Sequence, residues 1–172
     1  MSAAGIGASV LRREDERLLT GRGQYTDDLM VPGQATAVFV RSPHAHADID
    51  GIDSRRAMAM PGVLGVFTGG DIVSRPIGVI PTLIAERGGG KLRNRDGTNF
   101  VEPDWPVLAV GRVRYVGDPV AVVVAETLAQ ALDAAEVVDV AYTPRAAIVE
   151  GSQALEAGAP QLHAVGNRAY DW

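Results

Sequence analysis

The segment VAVVVAETLAQALDAAEVVDVAY, residues 120–142, limits what this chain can fold into more than any other. Residues 120–125 are six consecutive small apolar side chains. That run has strand length and no polar alternation, the pattern of a strand covered on both faces. Thr127 and Gln130 follow at capping-box spacing, and Leu128, Ala131, Leu132 and Ala135 recur at i, i+3, i+4 and i+7. The spacing predicts an amphipathic helix whose alanines allow it to lie close to a sheet. Residues 137–142, VVDVAY, predict another strand, with Asp139 outward and Pro144 ending it. Strand, helix and strand therefore form one unit.

A second such unit, from unrelated residues, lies earlier in the chain. ATAVFVR (35–41) has the β-branched and aromatic content of a strand. A bend at Ser42-Pro43 leads into an extended stretch that alternates His44, His46, Asp48 and Asp50. Asp53 or Ser54 then caps a short helix in SRRAMAM, which Pro61 and Gly62 stop, and VLGVF (63–67) forms a strand. Thr68 and Asp71 straddle Gly69-Gly70 and open a further helical turn. Residues 1–11 are small and permissive, a flexible N-terminal arm. Gly21 and Gly23 imply a turn with positive φ or a close backbone approach. Residues 74–106 have frequent Gly, Pro, Arg and Asn and no period. A segment of that length is expected to be a docking loop that packs on something outside this chain. Residues 151–158 predict a short helix. No linker composition intervenes, so residues 12–172 form one domain.

Composition narrows the function. A chain of 172 residues with 47% hydrophobic and 22% charged side chains is long enough to bury a core. Only 5% are aromatic, so the core is made of small and branched side chains. There is no cysteine, which excludes disulfides, thiolate catalysis and iron–sulfur ligation by this chain. The net charge of -5 disfavours nucleic acid. The first residues lack a basic stretch followed by an apolar run, and no apolar stretch approaches the roughly 20 residues that span a bilayer. The expectation is a soluble cytoplasmic protein without a membrane span.

The candidate sites are weak ones. GGGK at residues 88–91 resembles a phosphate loop, but Ala85 and Leu92 stand where Gly and Ser or Thr are required. The Gly5-Ile6-Gly7 and Gly21-Arg22-Gly23 triplets lack a third glycine and a preceding strand. His44, His46, Asp48 and Asp50 share one face of an extended chain, yet neighbours on that face are about 7 Å apart, too far for one ion to take three. Only His163 remains as another imidazole. Backbone-bonded histidines at a bend are the plainer expectation. Ser42 and His44 lack a nucleophile elbow. Asp27-Asp28 and Glu14-Asp15 are adjacent acids that diverge in most conformations. Arg12, Arg13, Arg17 and Arg22 make the start locally basic, as a solvated face or a docking surface for acidic protein. No catalytic, cofactor-binding or metal residue is assigned.

Three blocks, in order, carry a family resemblance: RSPHAHA, PGVLGVFTGGD after a short helix, and VGDPVAVVVAET continued by DAAEVVDVAY. They resemble the N-terminal a/b hammerhead domain of molybdenum hydroxylase large subunits, the xanthine dehydrogenase, aldehyde oxidase and carbon monoxide dehydrogenase family. RREDERLLTGRGQYTDD (12–28) is similar to that domain's opening segment. Two departures stand out. The family commonly has a basic residue where Asp48 stands, and Leu-Pro where Arg145-Ala146 stand. The resemblance implies an α+β fold with a mixed sheet, two strand–helix–strand units and the long docking loop. It implies an oxidoreductase that hydroxylates its substrate with oxygen from water at a molybdenum held by molybdopterin, in the cytosine dinucleotide form. Electrons leave through [2Fe–2S] clusters to FAD on partner subunits. The base glutamate and the pterin loops lie C-terminal to the hammerhead, so the resemblance implies a non-catalytic fragment that packs against the molybdopterin-binding domains and binds no cofactor alone. The alternative is a free-standing protein-interaction module without enzyme activity.

Overall fold

A computed structural model describes residue 7 and residues 11–75, 77–81 and 92–171. Its chain divides into two compact units, 1–34 and 35–172. The first holds a short helix, α1 (Asp15–Leu19), and a 3-10 turn at Thr26–Asp28. Gly21 adopts φ +70, the positive-φ turn expected of this glycine pair, and a Cβ on Gly23 would lie 2.6 Å from a Leu18 methyl carbon. The arm expected at residues 1–11 lies almost wholly outside the described residues, and so does the GGGK run.

The second unit contains β1 (Thr36–Arg41), β2 (Ala47–Asp53), α2 (Arg55–Met58), β3 (Val63–Thr68) and α3 (Gly69–Val73). After the excursion come β4 (Arg112–Val113), β5 (Pro119–Ala125), α4 (Leu128–Glu136), β6 (Asp139–Pro144) and a 3-10 turn at Gly151–Leu155. The expected single mixed sheet resolves into two three-stranded sheets, β1-β5-β3 and β4-β2-β6, and their pairings are antiparallel. Each strand–helix–strand unit thereby crosses from one sheet to the other or back. Strand β6 begins two residues later than the hydrophobic run, because Val137 caps the end of α4.

Side-chain size explains the packing. α4 lies over β1 and β5 and presents Ala131 and Ala134, both fully buried. Leu128 and Leu132, expected on the buried stripe, point outward and are about half exposed. The helix has rolled so that its smallest residues face the sheet, where a leucine would hold it farther away. One core cluster joins Ala57, Val123, Ala134 and Val138, another Ala47, Ala109, Val113 and Val120. Val40, Ile52 and Val140 pack against both, so the two cores are continuous.

The strand expected to be covered on both faces is two-sided. In β5, Ala121, Val123 and Ala125 are fully buried under α4 and α2, whereas Val122 and Val124 are half-buried. Val122 pairs with Phe39 of β1 and Phe67 of β3, and both phenylalanines are exposed. The sheet therefore has an apolar face that no described residue covers fully.

Within the 74–106 excursion, residues 94–101 pack on the chain's own tail. The amide of Val101 donates to Ala169 O, that of Arg95 to Asp171 O, and that of Asp171 to Asn94 Oδ1. The Phe100 and Tyr170 rings meet edge to face at 6.0 Å. A base-pair-like clasp of backbone groups satisfies polar atoms that an irregular loop would otherwise leave bare.

Candidate functional site

The bend between β1 and β2 brings together most of the residues that the sequence singles out. Ser42 is buried, and its hydroxyl accepts from the His44 amide at 3.0 Å while donating to the His44 carbonyl at 3.1 Å. It thus closes a local turn and makes no bond to the His44 imidazole. The His44 ring instead packs edge to face against Tyr142 of β6, centroids 4.9 Å apart. No nucleophile–base pair exists here, so the serine-hydrolase arrangement is not formed.

The four alternating donors also separate. His46 is buried and its Nδ1 bonds to Ala146 O at 2.7 Å, the backbone-bonded histidine that the sequence favours. Its Nε2 has no hydrogen-bond partner among the described residues. Asp48 takes Arg112 Nε on one oxygen at 2.8 Å and Arg145 on the other at 2.5 Å. These two arginines hold its carboxyl at a pKa of about 2, with the Arg145 bond the larger cause. Asp50 accepts from the Thr143 hydroxyl at 2.7 Å. A bulge between Ile49 and Gly51 breaks the alternation that would have kept all four on one face. Among the described residues, no three His, Asp or Glu side chains are grouped to hold a metal ion.

The two family departures meet in one contact. Asp48 and Arg145, the positions expected to depart from the resemblance, are paired with each other. They stand 97 positions apart in the chain, so no local window joins them.

His163 joins a different feature, a cleft of about 330 Å³ lined by Trp105, Arg114, Tyr115, Asp118, Leu162 and itself. Arg114 Nε donates to Leu162 O at 2.8 Å, and its amide donates to the Asp118 carboxylate at 3.0 Å. Burial pushes the Asp118 carboxyl up and the His163 imidazole down, the latter helped by Arg114. Asp118 closes the turn between β4 and β5 and is already committed to it. The cleft went unforeseen because it joins residues 103–106, 114–118 and 162–163, which no spacing rule connects.

In the first unit, the arginines face acids of their own segment. Arg17 pairs with Glu14, Arg12 with Asp15 at 3.5 Å and Arg22 with Glu16 at 3.6 Å, all well exposed. The Asp28 carboxylate accepts from the Tyr25 amide at 2.8 Å, as a turn cap. Those charges are locally balanced on a solvated face, and such pairs contribute little to stability.

Known proteins share this arrangement. A family model described as "Aldehyde oxidase and xanthine dehydrogenase, a/b hammerhead domain" matches residues 20–146. The nicotine 6-hydroxylase large subunit of Paenarthrobacter nicotinovorans is 42% identical over 153 residues, which cover 89% of this chain and 17% of that protein. The structure of quinoline 2-oxidoreductase from Pseudomonas putida 86 is 42% identical, with a TM-score of 0.71, over 91% of this chain and 18% of that one. Reconstituted CO dehydrogenase from Oligotropha carboxidovorans is 37% identical with a TM-score of 0.74, over 91% of this chain and 17% of that one. The chain thus spans less than a fifth of the length of these relatives.

Proposed function

The chain belongs to the aldehyde oxidase and xanthine dehydrogenase family as its a/b hammerhead domain, and from that premise we propose that it serves as the hammerhead portion of a molybdenum-dependent hydroxylase large subunit, packed against the polypeptide that carries the molybdopterin-binding domains. One observation supports this reading above the rest. Nine-tenths of the chain aligns with such large subunits, yet it accounts for only 17% of their length. The rest of a relative's length is where the resemblance puts the base and the pterin loops.

The complete enzyme of this proposal uses molybdopterin in its cytosine dinucleotide form, with [2Fe–2S] clusters and FAD on partner subunits in the cytoplasm. No residue of this chain is assigned to the cofactor in this proposal: of the candidate donors, His46 Nδ1 is engaged by a backbone carbonyl, Asp48 by arginine and Asp50 by threonine. No step of the reaction is therefore assigned to them. No described helix is long and apolar enough to cross a membrane.

A native pull-down from the source cells, with intact-mass and molybdenum analysis of the eluate, tests the proposal. A molybdenum-bearing polypeptide, either continuous with this chain or bound to it, is the expected result. Elution of a metal-free chain of 172 residues on its own would refute it and favour the free-standing interaction module.

A further inference from the structure

We propose that the uncovered face of the β1-β5-β3 sheet is the surface on which this domain receives the molybdopterin-bearing polypeptide. The inference rests on the function proposed above and adds the place of contact. Its centre is a single rung of three side chains, Phe39, Val122 and Phe67, which pair directly across the three strands. Ala37, Val124 and Gly65 form the adjoining rung on the same face. Phe39 is 43% exposed and Phe67 40% exposed.

This face differs from the usual outer side of a small antiparallel sheet, which alternates inward apolar with outward polar residues. Here the outward positions are apolar too, and none of the six is charged. The opposite positions Val38, Val66 and Val123 belong to the side beneath α2 and α4, where Val123 is fully buried. So the strand sequences are written for burial on both sides, while the described residues cover one.

Two details suit a permanent contact. The Phe67 ring lies back along the sheet over Gly65, where a Cβ would come within 2.9 Å of it. One edge of the ring therefore occupies the space that a side chain at position 65 would need. At the rim, the Arg41 guanidinium sits 5.6 Å from the centre of the Phe39 ring, and its Nη1 donates to Gly117 O at 2.9 Å. Arginine and aromatic anchors held in place before binding lose little freedom on contact, and such anchors carry most of an interface's free energy. Permanent interfaces are apolar in the manner of a core cut in two. The relatives supply the matching occupant: more than four-fifths of their length lies outside the part that this chain covers.

Photocrosslinking in the native assembly tests the placement. Phe67→benzoylphenylalanine is expressed in the source cells, the assembly is purified and irradiated, and the crosslinked peptides are sequenced, with Val149→benzoylphenylalanine as an exposed control. Crosslinks from position 67 into the molybdenum-bearing polypeptide, absent from position 149, are expected. A companion variant, Phe39→Gln, should lower the molybdenum that co-elutes while leaving the circular dichroism of the chain unchanged. If that polypeptide co-elutes but position 67 crosslinks only to solvent quencher or to a second copy of this chain, the docking face is overturned and the proposed function stands. Absence of any molybdenum-bearing polypeptide overturns both.

Discussion

Replacing two neighbouring valines of β5, one at a time, separates the two sides of its sheet. Val123→Ala removes two carbon atoms from a position with no solvent exposure, packed with Ala57, Ala134 and Val138. The lost transfer free energy is about 1.6 kcal/mol at ~0.8 kcal/mol per methylene. The void left behind, on the order of 50 Å³, adds about 1.2 kcal/mol at ~24 cal/mol per Å³. The variant should therefore lose roughly 2 to 3 kcal/mol. Val122→Ala deletes the same atoms from the next residue, but that side chain is half-buried and faces the open side. Part of its surface is already wet and no closed void forms, so its cost in the 172-residue chain should stay below about 1 kcal/mol. Urea unfolding followed by circular dichroism, with a common m-value, reads the difference directly. Equal losses for the two variants would refute the two-sided strand and restore a β5 buried on both faces.

Three further outcomes follow from the same contacts. Thr127→Ala removes the hydroxyl that accepts from the Gln130 amide at the start of α4 and should cost about 1 kcal/mol in urea unfolding, with Thr127→Ser restoring it. Ala131→Leu should cost about 1 to 3 kcal/mol, because the helix cannot rise from β1 and β5 without losing its contacts, whereas Leu132→Ala on its outer side should change stability by about 0.5 kcal/mol or less. Asp48 has a folded pKa of about 2, below its ordinary value of 3.8, so its charge stabilises the fold above about pH 4 and that contribution fades as the pH falls toward 2. An acid titration of Asp48→Asn should accordingly lack this part of the wild-type loss of stability, and an unchanged acid limb would contradict the pairing.

Much of the fold was legible because local signals agreed with one another. The apolar run, the Thr127 cap and the Pro61-Gly62 stop each placed an element within a residue or two of its observed bounds. What failed was information that no local window contains. Periodicity counted Leu128 and Leu132 as core because leucine is usually buried, but the distance between helix and sheet favoured the alanines. Strand partners depend on chain crossings, so one mixed sheet was expected where two antiparallel sheets stand. A run of valines signals that both faces want cover without saying where the second cover comes from. At the β1–β2 bend, the residue types were read correctly as bend-forming, but their partners Tyr142, Arg145 and Ala146 lie about a hundred residues away and belong to the other end of the second sheet.

The bond from Asp48 to Arg145 also constrains how this sequence can be exchanged with its relatives. One residue lies in the second strand and the other follows the sixth, so a chimera joined anywhere between them inherits only one. A basic residue at position 48 would face Arg145 and Arg112, so that three cations would share one corner of the sheet. With leucine at 145, Asp48 would keep Arg112 alone. The first half-exchange gathers three cations with no anion, while the second leaves one neutral pair and loses the Arg145 bond, so a graft that keeps this contact must carry both positions together. The two positions therefore act as one unit of design, to be exchanged together or not at all.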